Sequence, residues 1–423
     1  MRDSIALHSS LSTLHAPRRR VVITGVGSIS AHGAGGNSAV EHLLERARPA
    51  IAPIRAFSVD DSKSRLGAEL PNDLLGEVIG RDEARRLSRI CQLTVAACRL
   101  ALEDARLESL DDASGLGLVV GSEFGDLRST EEFAAGYLER GPVGISPMIF
   151  PNTVMNTMAA AASIAVGAKG ASVTLNQQTV AGELAIARAA AMVASGRMQA
   201  VLAGGVDEIA PTLYRMLSKL GALSPMNNGP EGCWPFDRRH NGRVLGEGAT
   251  FVLLEPLENA LERAATIYGE LKSAAWGSTP VGAHRCGSSA NGKGSAIRRA
   301  LAQAELSADA IGWAYLSGNG DPPLDDWQLK RLAAAFGAHQ PRLTSLTPLT
   351  GDYAGLGALR VAAAARTTRT GRVAPIASLR DPVRTDCTFA TGSQHGGATG
   401  LGLVHGVARG GTEIALVVAP FKA

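Results

Sequence analysis

Short apolar runs of strand length alternate with helix-length stretches along this chain, and this alternation limits its fold more than any other feature. The first run, at residues 21–27, reads Val-Val-Ile-Thr-Gly-Val-Gly, which is typical of a strand buried on both faces. Strand-like runs recur at 116–121, 200–205, 250–254, 267–273, 313–316 and 414–419. Helix-like stretches occur at 84–105, 155–166, 181–195, 296–304, 327–336 and 355–365. The alternation predicts an α/β protein with a parallel-rich sheet that has helices on both faces.

The alternating pattern occurs twice, with a break near residues 256–265. A chain of 423 residues is long enough for two fused halves that each bury a core. We therefore predict a polar leader at 1–19, an N-terminal half at 20–255 and a C-terminal half at 256–423.

The charge and hydropathy of the chain argue against two classes of partner. The net charge of +3 is too small to indicate binding to nucleic acid or to an anionic membrane surface. Residues 1–17 lack the apolar stretch of a signal peptide, and no 18-residue apolar run is present in the sequence. The sequence therefore predicts a cytoplasmic protein that binds neither nucleic acid nor membrane.

The cysteines and histidines show no spacing typical of a metal site. The five cysteines are scattered and odd in number, and no two form a CxxC pair. We expect reduced thiols and no metal. The glycines at 25 and 27 do not form a GxGxxG fingerprint with a ribose-binding acid, so we expect no nucleotide cofactor.

One long segment carries the clearest motif. Residues 233–249 read Cys-Trp-Pro-Phe-Asp-Arg-Arg-His-Asn-Gly-Arg-Val-Leu-Gly-Glu-Gly-Ala. This segment resembles the PFDxxRDGFVxGEGA signature of β-ketoacyl synthases, with His240 in place of an Arg. The Ala-Gly-Gly-Val-Asp-Glu run at 203–208 is similar to the AGGxE strand of that family, and shorter matches occur at 150–153, 350–351 and 395–397. The matches follow the family order from about residue 20 to the C-terminus.

The resemblance implies a five-layered thiolase-like fold (α-β-α-β-α) built from two related halves. It also implies substrates tethered to an acyl carrier protein and a dimer that forms across the sheet edge. Active members condense an acyl thioester with a malonyl thioester, using a Cys at a helix N-terminus and two His residues. In those members the helix dipole lowers the pKa of the thiol, and backbone N–H groups stabilise the oxyanion.

The nucleophile position in the TACxSGxxxI pattern of the family is occupied here by threonine. Residues 177–186 read Gln-Gln-Thr-Val-Ala-Gly-Glu-Leu-Ala-Ile, so Thr179 stands three residues before Gly182, where the family has Cys. A Thr hydroxyl is much less acidic than a thiol and needs a positioned base. Thr179 is either such a nucleophile or a cap of the following helix. A one-residue shift would instead place Gln178 at this position, which related silent subunits fill with Gln.

The other three catalytic positions of the family are also changed. The motif NAHGTSTPLND corresponds to residues 316–326, and Gly318 falls on its histidine. The motif KSxTGHxxGAAG corresponds to the segment that begins at residue 347, where Thr347 replaces Lys and Asp352 replaces the second His. A carboxylate at residue 352 would repel both an enolate and a malonyl carboxylate. Four simultaneous changes predict that the chain has lost the condensing activity.

This pattern resembles the ketosynthase-β, or chain-length-factor, subunits of type II polyketide and aryl-polyene systems. We therefore expect a non-catalytic partner that forms a heterodimer with an active ketosynthase-α subunit and contacts acyl carrier protein indirectly. In the segment at 126–156, Phe133 and Phe150 are expected to lie near the dimer interface, where they either shape the acyl pocket or pack the interface.

Two alternatives remain open. His395 stands where the family has a Phe that gates the acyl pocket, and it either fills the abandoned pocket or acts as a base for Thr179. In the second case the chain would be an acyl-thioester acyltransferase or hydrolase. The third hypothesis is a protein that binds acyl chains without turnover.

Overall fold

The structure is a computed structural model that describes residues 18–107, 112–227, 229–287, 295–392 and 400–422. The helices are α1 (Asn37–Arg46), α2 (Asn72–Val78), α3 (Arg81–Ala84), α4 (Arg89–Asp104), α5 (Leu127–Arg140), α6 (Thr157–Ala165), α7 (Ala181–Ala194), α8 (Pro211–Lys219), α9 (Leu257–Glu262), α10 (Ala296–Gln303), α11 (Pro322–Phe336), α12 (Thr347–Thr350) and α13 (Gly355–Thr370). The strands are β1 (Val21–Ser30), β2 (Gly33–Gly35), β3 (Ala52–Pro53), β4 (Leu66–Gly67), β5 (Leu116–Ser122), β6 (Ser172–Asn176), β7 (Ala200–Asp207), β8 (Gly248–Pro256), β9 (Gly269–Ser278), β10 (Ile311–Leu316), β11 (Arg342–Ser345), β12 (Leu401–Ala408) and β13 (Thr412–Ala419).

The strands form two half-sheets with the same internal order of pairing. The first half-sheet runs β1-β8-β7-β5-β6 and the second runs β9-β13-β12-β10-β11. In each, the first two ladders are antiparallel and the last two are parallel. A three-residue ladder between β1 and β9 joins them, so hydrogen bonds link all these strands. The repeated order is the architecture that two related βα halves predict, while the division after residue 255 stays a prediction.

Helices α7 and α13 fill the space between the two half-sheets. Helix α13 contacts β7 and β8 on one side and β9, β12 and β13 on the other, and nearly all of its residues are buried. Helix α4 packs on the outer face of the first half-sheet, and α10 and α11 pack on the outer face of the second. The layers are therefore α-β-α-β-α. Alanine-rich sequences in α7 and α13 permit this packing because small side chains let helix and sheet backbones come close.

The expectation of a parallel-rich sheet is wrong, because antiparallel ladders outnumber parallel ones among the described strands. One cause is the β12–β13 hairpin, since the sequence analysis assigned no strand to residues 401–408. Its turn contains Gly410 and Gly411, with φ of 84° and 85°. Two adjacent residues with positive φ are typical of tight hairpin turns, so the Gly-Gly pair was a usable signal.

A buried ionic cluster fastens the outer helices of the second half to β13. Glu413 accepts hydrogen bonds from Arg331 Nη2 of α11 at 2.6 Å and from Ser295 Oγ, before α10, at 3.1 Å. His405 Nε2 of β12 lies 3.1 Å from the same carboxylate. Burial alone would raise the pKa of Glu413, but the hydrogen bonds and charges of His405 and Arg331 outweigh it and lower the pKa to about 2.

We predict that Glu413→Gln lowers the free energy of unfolding at neutral pH by about 3 kcal/mol, because the buried guanidinium of Arg331 loses a carboxylate that it contacts. A folded-state pKa below the ordinary value of 4.5 adds stability above that pH, and this stability is lost as the pH falls towards about 2. Urea unfolding between pH 7 and pH 3 should therefore show a weaker acid dependence in the variant. The exposed Glu77→Gln in α2 is the control, and an equal effect of both substitutions would contradict the prediction.

Candidate functional site

The chain folds so that loops at the ends of β5, β6 and β10 meet beside the central helices. The parallel strands β5 and β6 end at the same edge of the first half-sheet, so Glu123 and the turn at residues 177–180 are neighbours. Asn319 follows β10, and Asp352 follows α12. Arg243 lies on the motif loop before β8. Hydrogen bonds connect these segments into one buried site.

Thr179 occupies a strained turn between β6 and α7. Its φ is +56°, which is rare for a β-branched residue. Its side chain is buried, and Oγ1 lies 3.4 Å from the carbonyl oxygen of Val407. Its backbone N–H donates to Glu123 Oε1 at 2.6 Å. Among the described residues, Thr179 Oγ1 forms no hydrogen bond with a titratable side chain, so no base for its hydroxyl is present in this part of the chain.

Gly318 and Thr347 form a second part of the site. The carbonyl oxygen of Gly318 accepts hydrogen bonds from Thr347 Oγ1 at 2.8 Å and from Ser345 Oγ at 2.7 Å. A Cβ atom at residue 318 would lie 2.2 Å from the ring of Phe236, which stacks on Phe389 with ring centroids 5.5 Å apart. In this arrangement the position has no room for a side chain, because two packed aromatic rings would have to move.

Asp352 takes part in a buried ionic cluster. Its Oδ2 accepts hydrogen bonds from Asn319 Nδ2 at 2.8 Å and from Arg243 Nη1 at 3.2 Å. Arg243 Nη1 also contacts both oxygens of Glu123, at 2.9 and 3.1 Å. Glu123, Arg243 and Asp352 are all buried. We call these three residues the buried charge cluster.

The buried charge cluster contains two residues that the sequence analysis did not select. The motif PFDxxRDGFVxGEGA has Phe at the position of Arg243, so the same comparison that identified Asp352 contained the signal for Arg243. Glu123 belongs to no motif used above. Its carboxylate reaches the site only because β5 and β6 pair in the observed register.

The other two members of the buried charge cluster, Glu123 and Arg243, have shifted pKa values with distinct causes. Burial raises the pKa of the Glu123 carboxyl; the charge of Arg243 opposes the rise, and the charge of Asp352 adds to it. Burial alone would lower the pKa of Arg243, but the two neighbouring carboxylates outweigh it and raise the pKa. Arg243 is therefore a permanent cation that faces two carboxyl groups.

Asp207, at the end of β7, fixes the backbone on both sides of the buried charge cluster. Its Oδ1 accepts from the Glu123 N–H at 2.9 Å, and its Oδ2 accepts from the Ala354 N–H at 2.7 Å. Burial and the charge of Glu123 raise the pKa of Asp207 to about 7. The loops that carry Glu123 and Asp352 are thus held by one side chain.

The remaining predicted site residues lie elsewhere or outside the description. Gln178 is half-buried next to Thr179. Phe133 of α5 and Phe150 form a surface pair with ring centroids 5.8 Å apart, and Phe150 is 55% exposed. His395 lies outside the described residues. The structure therefore brings together Thr179, Gly318, Thr347 and Asp352, while Phe133 and Phe150 lie on a separate surface.

None of the five cysteines is an activated thiol. Burial raises the pKa of Cys91 and Cys286 to about 11, and it raises the pKa of Cys98, Cys233 and Cys387 as well. Cys233 lies closest to the site, with Sγ 4.0 Å from the carbonyl oxygen of Asn319. In the described parts of the chain, no group of three or more Cys, His, Asp or Glu side chains could hold a metal, and no helix is long and apolar enough to cross a bilayer.

Comparison with known proteins gives the family. Residues 18–260 match the family model described as the β-ketoacyl synthase N-terminal domain, which is more than half of the chain. The chain belongs to the β-ketoacyl synthase family. The family assignment from the motif at 233–249 is thereby confirmed.

The similarity to known relatives and solved structures covers most of this chain. The 3-oxoacyl-[acyl-carrier-protein] synthase 2 of Synechocystis sp. is 29% identical over 96% of this chain and 99% of its own. The granaticin polyketide putative β-ketoacyl synthase 1 of Streptomyces violaceoruber is 30% identical over 86% of this chain and 89% of its own. A β-ketoacyl synthase from Burkholderia phymatum has a TM-score of 0.86 at 26% identity, covering 96% of this chain and all of its own.

The fold also matches a structure described as the ishigamide ketosynthase/chain length factor. That match has a TM-score of 0.86 at 23% identity and covers 96% of this chain and all of the other. Together with the layers described above, these matches confirm the thiolase-like fold.

We predict that alkylation of every cysteine of the native protein at pH 7.5 is slower than that of glutathione. A thiol with a pKa of about 11 has roughly a hundredfold less thiolate at this pH than an unperturbed thiol. Timed iodoacetamide labelling, followed by peptide mass spectrometry, gives the rate at each cysteine. The same protein unfolded in urea is the control, and one rapidly labelled cysteine in the native protein would contradict the prediction.

Proposed function

We propose that this chain is a non-catalytic, chain-length-factor-type partner of an active β-ketoacyl-acyl-carrier-protein synthase in polyketide or fatty-acid-type chain elongation. The observation that carries the proposal is the buried charge cluster. Arg243 and Asp352 lie where the family comparison puts Phe and the second catalytic His, and Thr179 stands in place of the Cys. No low-pKa thiol compensates for these changes.

Condensation needs a nucleophile that forms the acyl intermediate and groups that stabilise negative charge on the malonyl unit. Thr179 Oγ1 faces a carbonyl oxygen, which cannot accept its proton as a base. Asp352 adds a carboxyl group where negative charge would develop.

The hydrolase or acyltransferase alternative would need His395 as a base, and the acyl-binding alternative would need an open pocket. The contacts of Thr179 support neither of these two alternatives over the partner role.

The partner role is supported by the exposed edge of the first half-sheet. Strand β6 ends that half-sheet, and its residues are exposed or half-buried. The opposite end strand, β11, is almost entirely buried. An exposed edge strand offers unpaired N–H and C=O groups to another chain.

Next to β6, helices α5 and α6 and the segment between them carry an apolar patch. We define the apolar patch by its exposed large side chains, which are Tyr137, Leu138, Val143, Met148, Phe150, Val154 and Ile164. Exposed apolar surface beside an open strand edge is typical of an obligate subunit interface. We propose that an active ketosynthase covers this surface, because two silent subunits would form a dimer without chemistry. Two similarly folded structures are described as a ketosynthase/chain length factor and as a type II polyketide acyl-carrier protein in complex with its ketosynthase.

We expect a stable one-to-one complex when this chain is co-expressed with its cognate ketosynthase and analysed by size exclusion and native mass spectrometry. The double variant Leu138→Asp/Ile164→Asp should lose the complex, because both side chains are more than 80% exposed in the free chain and would bury a charge in the interface. The matched control is Leu261→Asp, which is 55% exposed on α9 near β1, at the other side of the half-sheet.

A wild-type chain that stays apart from the ketosynthase would overturn the partner role. If the control variant lost the complex to the same extent, the apolar patch would be excluded as the binding site for the ketosynthase. In the same preparations, the complex should condense acyl and malonyl thioesters while the isolated chain should not.

A further inference from the structure

The backbone N–H of Thr179 is a hydrogen-bond donor at the start of the fourteen-residue helix α7, where the helix dipole favours negative charge. A donor in this position suits a carboxylate or the oxygen of an acyl carbonyl. In this chain the donor is already taken. Glu123 Oε1 accepts from it at 2.6 Å, which is short even for a charge-assisted hydrogen bond.

Arg243 provides the second half of a carboxylate-binding arrangement. Its Nη1 contacts both oxygens of Glu123, in a bifurcated contact from a single nitrogen. Its Nη2 is buried without a hydrogen-bond partner among the described residues. Asp352 Oδ2 accepts from the same Nη1 and also from Asn319 Nδ2, so Asn319 fixes the second carboxylate that contacts the guanidinium. The arrangement therefore has the backbone N–H donor of Thr179 just before α7 and the cation of Arg243. It also has the Nη2 donor of Arg243, which has no partner among the described residues.

We propose that Glu123 is an internal occupant of this site. Its carboxylate takes the Thr179 N–H, is held there by Arg243, and closes the site to external carboxylates and acyl carbonyl groups. The ligand class that the emptied site would take is a small carboxylate. This inference deepens the proposed function, because it gives a physical reason why the site receives no acyl group. Asp207 supports the same position of Glu123 through its backbone N–H.

The test is chemical rescue by acetate. Glu123→Ala removes the CH2–COO⁻ portion of the side chain, which has the atoms of acetate. It leaves the Thr179 N–H without its acceptor and reduces the carboxyl contacts of Arg243 to Asp352. We expect the thermal midpoint of this variant to lie several degrees below that of the wild type. Acetate should raise it by several degrees more than chloride at equal ionic strength, while the wild type shows no such difference.

Two controls separate the site from general effects of acetate. Glu69→Ala removes a carboxylate that also accepts two backbone N–H groups, but at a half-buried surface position, and should show no specific response. The double variant Glu123→Ala/Arg243→Met should also show none, because it lacks the cation that holds the ligand. An acetate effect of equal size in all variants, or in none, would overturn the proposal.

A second measurement applies if Glu123→Ala does not fold. In protein labelled with ¹⁵N-threonine, the Thr179 amide proton should resonate downfield because it donates to a carboxylate. In Glu123→Gln, which keeps the shape but loses the charge, this proton should move upfield by about 1 ppm or more. An unchanged resonance would show that Glu123 does not occupy the donor. These experiments use the isolated chain, so their failure is distinct from a failure to bind a ketosynthase.

Discussion

The balance of one buried guanidinium against two buried carboxyl groups is the interaction on which the site depends. Arg243 is the shared partner of Glu123 and Asp352, and neither carboxyl has a second cation in the described structure. Removing Arg243 would leave both carboxyl groups buried without a cation, and breaking a buried ion pair in this way costs about 3–5 kcal/mol. Removing either carboxyl group leaves a one-to-one pair, so Arg243 is the residue on which the other two depend. The presence of Arg243 where the family motif has Phe is what makes the Asp352 carboxylate tolerable.

The fold brings these charges together from distant parts of the sequence. Glu123 follows a strand of the first half-sheet, whereas Asp352 precedes a helix that lies between the two half-sheets. Asp207 accepts hydrogen bonds from the backbone on both sides of the buried charge cluster, and a buried Glu183–Arg360 ion pair joins α7 to α13. Both the site and the central layer therefore contain buried ionic groups beside an apolar core.

The sequence predicted the strand and helix alternation and the two related halves, because these depend on local patterns. The assignment of the four altered positions depends on short motifs and stays a prediction. It did not predict β6, β12 or the antiparallel ladders, since these depend on register and on turns between distant strands. The Arg at residue 243, where the family motif has Phe, is a local signal for the buried charge cluster. Glu123 could not be found in this way, as its role arises only from the parallel pairing of β5 with β6. The closure of residue 318 by Phe236 likewise depends on contacts across 82 residues of sequence.

The exposed edge and the closed site lead to the same conclusion by independent physical routes. The chain keeps a large buried core and an ordered scaffold around the site, so it still needs its fold. A chain that also leaves β6 and the apolar patch open in the monomer has retained a surface that is unfavourable in water unless another chain covers it. Under the proposed partner role, this surface is the feature that gives the fold its use. The buried charge cluster then holds the loops of the site in place, because Arg243 joins Glu123 to Asp352.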